Sequence, residues 1–136
     1  MKKNRNEICK GKNGAVYSTI CSQKYLTRMY AGCYGNDLHV YNLHSSKLQG
    51  RISDMKIGGV AGIILFNKER HAFLGGASGY VLLVDLRKME IMKKWEIKAS
   101  VYCFDLNEDS LVIGGSNQSF TYIQMSDIQS LIDEEE

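Results

Sequence analysis

The stretch Leu74-Gly75-Gly76-Ala77-Ser78-Gly79 divides two runs of apolar residues, and related stretches divide such runs at two other places in the chain. These related stretches read Tyr30-Ala31-Gly32-Cys33-Tyr34-Gly35 and Ile113-Gly114-Gly115-Ser116-Asn117-Gln118. The glycine steps at Gly32, Gly76 and Gly115 follow one another at intervals of about 40 residues, a length typical of repeats built from short strands. The spacing therefore predicts a β-sheet unit that occurs three times and whose copies pack on one another.

The three units share an order of parts in which strand-like runs alternate with turn-forming residues. They span about residues 15–54, 55–98 and 99–127, and the second is the clearest. In it, Val81-Leu82-Leu83-Val84 is a continuous apolar run, whereas Lys93-Lys94-Trp95-Glu96 mixes charged and apolar side chains. A strand covered on both faces reads as a continuous apolar run, and a solvated edge strand reads as a mixed one. The sequence therefore predicts four-stranded antiparallel sheets, each with buried inner strands and a polar outer strand.

The two ends of the chain differ from the repeated units in composition. Residues 1–13 are polar and rich in lysine, and we expect a flexible basic leader there. Residues 128–136 are expected to form an acidic tail or an incomplete last strand of the third unit, with that strand over residues 128–132. The alternative for this segment is one helical turn, because Ile128, Leu131 and Ile132 recur at helical spacing.

Composition disfavours several classes of protein. The chain has 136 residues, 44% of them hydrophobic, which suits one domain with its own core. A net charge of +2 does not favour nucleic acid as a partner. The four cysteines form no C-x-x-C pair, so we expect reduced thiols and an intracellular, cytoplasmic or nuclear location. No run reads as a secretory signal or approaches the ~20 apolar residues of a membrane span, so no membrane partner is expected.

Two stretches resemble the blades of WD-repeat (WD40-type) β-propellers. Residues 104–116 look like the strand–turn–strand–Gly/Ser step of that family, and residues 75–86 look like the step followed by its closing Trp-Asp strand. At the closing position this chain has Tyr41-Asn42, Val84-Asp85 and Ile123-Gln124. The resemblance covers about residues 15–127, but the units lack the Gly-His pair and the closing tryptophan of strong members.

The resemblance implies an all-β fold of three four-stranded antiparallel WD40-like blades that form a partial, open propeller. A β-sandwich of similar strand spacing is the alternative. Closed propellers use about four to eight blades, so three blades would leave apolar end faces that must be covered. The chain would then be part of a longer WD-repeat protein, associate with itself through its end blades, or complete the propeller of another protein.

Candidate chemistry in the sequence is sparse. The histidines His39, His44 and His71 have no nucleophile or acid partner at a spacing that suggests a triad or a metal site. The glycine steps lie between strand-like runs, whereas a phosphate-binding glycine loop must open a helix. We therefore expect no catalytic residue, no cofactor and no metal.

By its resemblance to the family, the chain is expected to be a non-catalytic scaffold for protein–protein interaction. The residues expected at the partner-binding loop rims are Tyr34, Asn36, Arg70, Tyr80 and Arg87. One alternative is a structural subunit or fragment of a larger assembly that recognises nothing by itself. Another is a substrate receptor of cullin–RING ubiquitin ligases, because Val84-Asp85-Leu86-Arg87 resembles the Trp-Asp-x-Arg box that docks on their adaptors. In the simpler interpretation of that box, Asp85 organises a turn and Arg87 is a solvated charge.

Overall fold

The computed structural model describes residues 16–33, 36–116 and 120–135, and eleven strands in this part of the chain form three antiparallel sheets. Sheet 1 contains β1 (Val16–Cys21), β2 (Arg28–Cys33), β3 (Leu38–Asn42) and β4 (Lys47–Ile52). Sheet 2 contains β5 (Val60–Phe66), β6 (His71–Gly76), β7 (Tyr80–Asp85) and β8 (Glu90–Glu96). Sheet 3 contains β9 (Val101–Leu106), β10 (Ser110–Gly115) and β11 (Phe120–Gln124), and the helix α1 (Met125–Glu135) follows it.

The first strands of the three sheets lie next to one another. Strand β5 contacts β1 on one side and β9 on the other, while each sheet runs outward in chain order from its first strand. This is the arrangement of propeller blades around an axis. The predicted partial, open propeller of antiparallel blades is confirmed.

Two hydrophobic clusters hold the sheets together, one on each face of sheet 2. Because side chains alternate along a strand, β6 sends Ala72 and Leu74 toward sheet 1 and Phe73 toward sheet 3. Strand β7 divides in the same way, with Leu82 on one side and Leu83 on the other. The continuous apolar runs of the sequence are therefore explained by a sheet that is covered on both faces.

Burial within sheet 2 is greatest in its two middle strands. All six residues of β6 and five of the six in β7 are buried, whereas most of β8 is exposed, as the sequence predicts for an outer strand. The innermost strand departs from the expectation, because residues 61–66 of β5 are only partly buried. In the described part of the chain no sheet lies across the axis from β5, and its axis side therefore stays open.

The hairpins that close the third strands of sheets 1 and 2 are built alike. The side-chain oxygen Oδ1 of Asn42 accepts hydrogen bonds from the backbone N–H groups of His44 and Ser45. Oδ1 of Asp85 accepts them from Arg87 and Lys88. Short Asn and Asp side chains can reach their own backbone in this way, which favours a turn. Asn42 and Asp85 therefore occupy equivalent positions, as the closing pairs of the sequence predict.

The third unit ends differently, and the expected fourth strand over residues 128–132 is wrong. The chain passes from Gln124 directly into α1, an eleven-residue helix that is longer than the single turn considered as the alternative. Ile128 and Ile132 are buried in the cluster between sheets 2 and 3. Helical spacing places both isoleucines on one helix face. The Gln124 side chain is one carbon longer than the short Asn42 and Asp85 side chains, which bond nearby backbone N–H groups and so start a turn. Sheet 3 therefore has three described strands.

The strand register changes by one residue the alignment of the repeated glycines in sheets 2 and 3 with Gly32 of sheet 1. Gly32, Gly75 and Gly114 occupy the same register position, since each is paired with the residue at the start of its sheet's third strand or one after it. The spacing of the glycine steps in the sequence instead aligns Gly32 with Gly76 and Gly115. That position lies where a neighbouring sheet approaches. A Cβ atom built on Gly32 would lie 2.5 Å from Cγ1 of Val60 in sheet 2, so the glycine permits the close packing of adjacent sheets.

Candidate interaction surfaces

The outer face of sheet 3 is the side that does not face sheet 2. Strand pairing places Cys103 and Asp105 of β9 on this face, beside Gly114 and Val112 of β10. Phe120 and Tyr122 of β11 continue the same rows across the sheet. We call this surface the outer face and define it by these six residues.

The outer face exposes large apolar side chains on neighbouring strands. Phe120 is 74% exposed, Tyr122 59% and Val112 40%. Tyr102, the bulged residue of β9 next to this face, is 68% exposed. Single exposed apolar residues are ordinary on a protein surface, but a contiguous group marks an interaction site. The sequence predicts apolar end faces but not the residues that form them, because strand alternation in the third unit gives no indication of which of its faces lacks a covering sheet.

A small pocket of about 190 Å³ lies at the seam between sheets 1 and 2. Arg28, Gln49 and Arg87 are among the polar residues that line it, together with Tyr30. The Tyr30 hydroxyl is buried and has no hydrogen-bond partner in the described structure. The Arg28 guanidinium lies 4.1 Å from the centre of the Tyr25 ring, which is a cation–π contact.

A carboxylate links the turns of two neighbouring sheets. Oε2 of Glu69, in the turn between β5 and β6, accepts hydrogen bonds from the backbone N–H groups of Gln23 at 3.0 Å and Lys24 at 2.7 Å. Asn67, Lys68 and Glu69 have consecutive left-handed backbone conformations, with φ of 53°, 55° and 64°. Side chains other than glycine seldom adopt this conformation, so the contact from Glu69 stabilises a strained turn.

The structure surrounds His39 with polar groups that sequence spacing did not reveal as a cluster. Nδ1 of His39 lies 3.0 Å from the Tyr41 hydroxyl and 3.8 Å from Sγ of Cys33, and Nε2 lies 3.4 Å from Oδ2 of Asp37. Alternation along β3 could have indicated that Asp37, His39 and Tyr41 share one face. All four residues are at most 7% exposed, which closes the cluster to a substrate.

The other two histidines have separate environments. His71 is buried, with Nδ1 3.0 Å from Nδ2 of Asn67, and it packs against the Phe66 ring. His44 is exposed in the hairpin turn that Asn42 organises. In the described ranges, no group of three histidine, cysteine or acidic residues could hold a metal ion. No helix in those ranges is long and apolar enough to cross a membrane.

The five rim residues predicted from the sequence have different environments, and their role in partner binding stays a prediction. Tyr34 lies outside the described residues. Asn36 is structural, because its Oδ1 accepts a hydrogen bond from the N–H of Gly58. Arg70 is partly buried, Tyr80 carries the Lys94 ammonium 4.1 Å from its ring centre, and Arg87 is exposed at the seam pocket.

Comparison with known proteins supports the fold. No protein-family model and no curated protein matches the sequence. Among solved structures, the β-propeller domain of Cps50 (Swd1) from Myceliophteria thermophila is similar, with a TM-score of 0.73 and 12% sequence identity. The similarity covers 85% of this chain and 36% of the Cps50 chain. The fold of this protein is therefore that of β-propeller blades, and the chain spans about a third of the chain that it matches.

Proposed function

We propose that this protein is a non-catalytic scaffold for protein–protein interaction inside the cell and that it works as part of a β-propeller. The outer face of sheet 3 is the observation that supports this function most directly. It combines two exposed aromatic residues, Phe120 and Tyr122, with the exposed Val112 on adjacent strands. Aromatic side chains are enriched at the centres of protein interfaces, where burying them contributes much of the binding free energy.

The test is site-specific photo-crosslinking with the full chain in extract of its own cells. A photoreactive benzoylphenylalanine replaces Tyr122, and the control carries the same group in place of Leu26, which is 85% exposed in a turn of sheet 1. We expect a protein to be captured from position 122 and not from position 26. The captured protein, once purified, should bind the chain and lose affinity by about tenfold or more on Phe120→Lys, since a buried aromatic anchor contributes 2 kcal/mol or more. If Phe120→Lys leaves its affinity unchanged, the proposal fails.

A more specific role rests on Arg87. Its side chain is exposed, and Asp85 holds the backbone of the turn in which it lies. This geometry is compatible with docking on a cullin–RING ligase adaptor, in which the guanidinium would form charge-assisted hydrogen bonds. It is equally what the simpler interpretation requires, in which Asp85 organises the turn and Arg87 is solvated. Reversing the charge with Arg87→Glu and measuring adaptor binding separates the two, because unchanged binding removes the docking role.

A further inference from the structure

Four register positions lie on the same face of each of the three sheets, and in sheets 1 and 2 this face points toward the following sheet. They are identified by their pairing between the second and third strands, which is the same in all three. The residues at these positions are Tyr30, Gly32, Leu38 and Val40 in sheet 1, Phe73, Gly75, Val81 and Leu83 in sheet 2, and Val112, Gly114, Phe120 and Tyr122 in sheet 3. Each set thus contains one glycine at the same place and three apolar or aromatic side chains.

Burial at these positions depends on whether another sheet follows. The apolar members in sheets 1 and 2 are between 0% and 5% exposed, because sheets 2 and 3 cover them. The equivalent residues of sheet 3 are 40%, 74% and 59% exposed. Sheet 3 therefore has the residue types of a covered face, but the described chain supplies no sheet to cover it.

The covered glycines show how the next sheet approaches. A Cβ atom on Gly32 would lie 2.5 Å from Cγ1 of Val60, and one on Gly75 would lie 2.8 Å from Cγ1 of Val101. Val60 and Val101 are each the first residue of the first strand of the following sheet. Among the described residues, a Cβ atom on Gly114 would meet only Cys103 of its own sheet. The space over Gly114 is thus the counterpart of the two places that receive a valine.

We propose that the outer face of sheet 3 is the docking surface for a further blade-type antiparallel β-sheet of a partner polypeptide. This inference rests on the proposed function and specifies the partner. The first strand of the incoming sheet begins with a β-branched residue that packs over Gly114. Its aliphatic side chains cover Val112, Phe120 and Tyr122, as sheets 2 and 3 cover the equivalent residues of their neighbours.

The path of the chain favours a separate polypeptide as the source of this sheet. In sheets 1 and 2 the outer strand leads through a short connection to the first strand of the next sheet, over residues 53–59 and 97–100. After β11 the chain instead forms α1, which packs into the cluster on the other side of sheet 3. A second copy docking head to tail is also disfavoured, because Ala31, His39 and Tyr41 on the corresponding face of sheet 1 are already buried.

One charged residue gives the surface specificity. The residue paired with Tyr30 in sheet 1 is Ile20, and the residue paired with Phe73 in sheet 2 is Ile64. At the same place in sheet 3, the residue paired with Val112 is Asp105, which is exposed. Because a buried carboxylate requires a partner, the incoming sheet carries a lysine, an arginine or a hydrogen-bond donor opposite Asp105.

The test uses the full chain and a blade whose docking geometry is known. A second copy of residues 57–98 is appended after Glu136 through a flexible Gly/Ser linker, which gives the appended sheet a high effective concentration. The chimera and the parent chain both carry Asp105→Ile, because the face that this sheet covers in sheet 1 has Ile20 at the place of Asp105. The appended segment contains no cysteine, so each thiol in the chimera maps to one site. Cys103 lies beside Gly114 on the outer face, whereas Cys21 is exposed on β1 and serves as the internal control. The readout is the rate at which each thiol is alkylated, followed by mass spectrometry.

We expect Cys103 to be alkylated about tenfold more slowly in the chimera than in the parent chain, as for a docked state populated about nine tenths of the time. The alkylation rate of Cys21 should not change. Gly114→Val should abolish the difference in the Cys103 rate between the chimera and a parent chain with the same substitution, because the new side chain fills the place of the incoming valine. Both proteins carry the substitution because a side chain at position 114 itself contacts Cys103. Tyr122→Lys should likewise abolish the difference without affecting folding, since this residue is exposed, and Leu26→Lys should keep the protection.

Equal alkylation of Cys103 in the chimera and the parent chain overturns the inference, as does protection that survives both Gly114→Val and Tyr122→Lys. The result is independent of the crosslinking test of the proposed function. If position 122 crosslinks to a partner segment that is not a strand, and the chimera gives no protection of Cys103, the scaffold function stands and the docked blade is ruled out. Protection in the chimera without any captured partner removes the scaffold function instead.

Discussion

At the scale of the residue, glycine and short polar side chains decide how closely the sheets approach and where the chain turns. A Cβ atom on Gly76 would meet the backbone carbonyl of Ile57, which cannot move aside as a side chain can. Gly79 has a φ of 95° in the turn between β6 and β7, where an L side chain is strained. Asn42 and Asp85 each bind two backbone N–H groups and so fix where β3 and β7 end.

Gly76→Ala should therefore destabilise the protein by about 1–3 kcal/mol, the usual cost of an additional methyl group in a packed site. The matched control is Gly50→Ala, because the described atom nearest to a Cβ atom there would be Cε of Met89 at an ordinary 3.7 Å. Gly50→Ala should change the free energy of unfolding by less than about 0.5 kcal/mol. Urea denaturation measures both, and an equal effect of the two substitutions would contradict the close approach at Gly76.

At the scale of the element, α1 takes the place expected for a fourth strand and closes the cluster between sheets 2 and 3. Its buried residues Ile128 and Ile132 are four positions apart. This spacing places two residues on one face of a helix and also on one face of a strand, so it does not distinguish the two. The acidic residues around them are also compatible with a last strand that ends in solvent. The helix is selected by packing, because Ile128 reaches 0% exposure beside Phe73 and Leu111.

Ile128→Ala should destabilise the protein by about 2–5 kcal/mol, since it leaves a cavity in a closed cluster. It should also reduce the helical signal in circular dichroism below the midpoint of thermal unfolding. Gln129→Ala is the neighbouring control, because Gln129 is exposed and bonds only the exposed Asp133. A stability loss from Gln129→Ala as large as that from Ile128→Ala would show that α1 is not anchored through its apolar face.

At the scale of the whole molecule, three sheets form an arc in which sheet 2 alone is covered on both faces by other described sheets. The arc leaves Phe120 and Tyr122 in solvent, although the same register positions are closed elsewhere. An arc of repeats is stabilised by the interfaces between neighbours, so an uncovered end lacks one such contribution.

The chain by itself should accordingly associate as its concentration rises, because burying an exposed apolar face is favourable. Tyr122→Lys should weaken this association, and Leu26→Lys, at an equally apolar but isolated position, should leave it unchanged. Sedimentation velocity over a range of concentrations measures the effect. A monomer at every concentration would contradict the conclusion that the outer face requires a cover.

Much of this architecture could be predicted from the chain because it depends on local and periodic features. The apolar run at residues 81–84 and the mixed run at residues 93–96 indicated a covered strand and a solvated one, and both were confirmed. The candidate surface could not be predicted in the same way. Val112 and Tyr122 belong to the same pattern as their buried equivalents, and only the positions of the sheets determine which copy is left open.

The amino-acid sequence by itself determined the number of units, most of the strands within them and the turn at Asp85, because side-chain alternation and short-range hydrogen bonds act over a few residues. The tertiary structure alone decided two matters: the helix at the end of the third unit and the exposure of the outer face. These depend on contacts between residues that are distant in the chain, and an apolar pattern does not specify whether a neighbouring sheet is present to bury it.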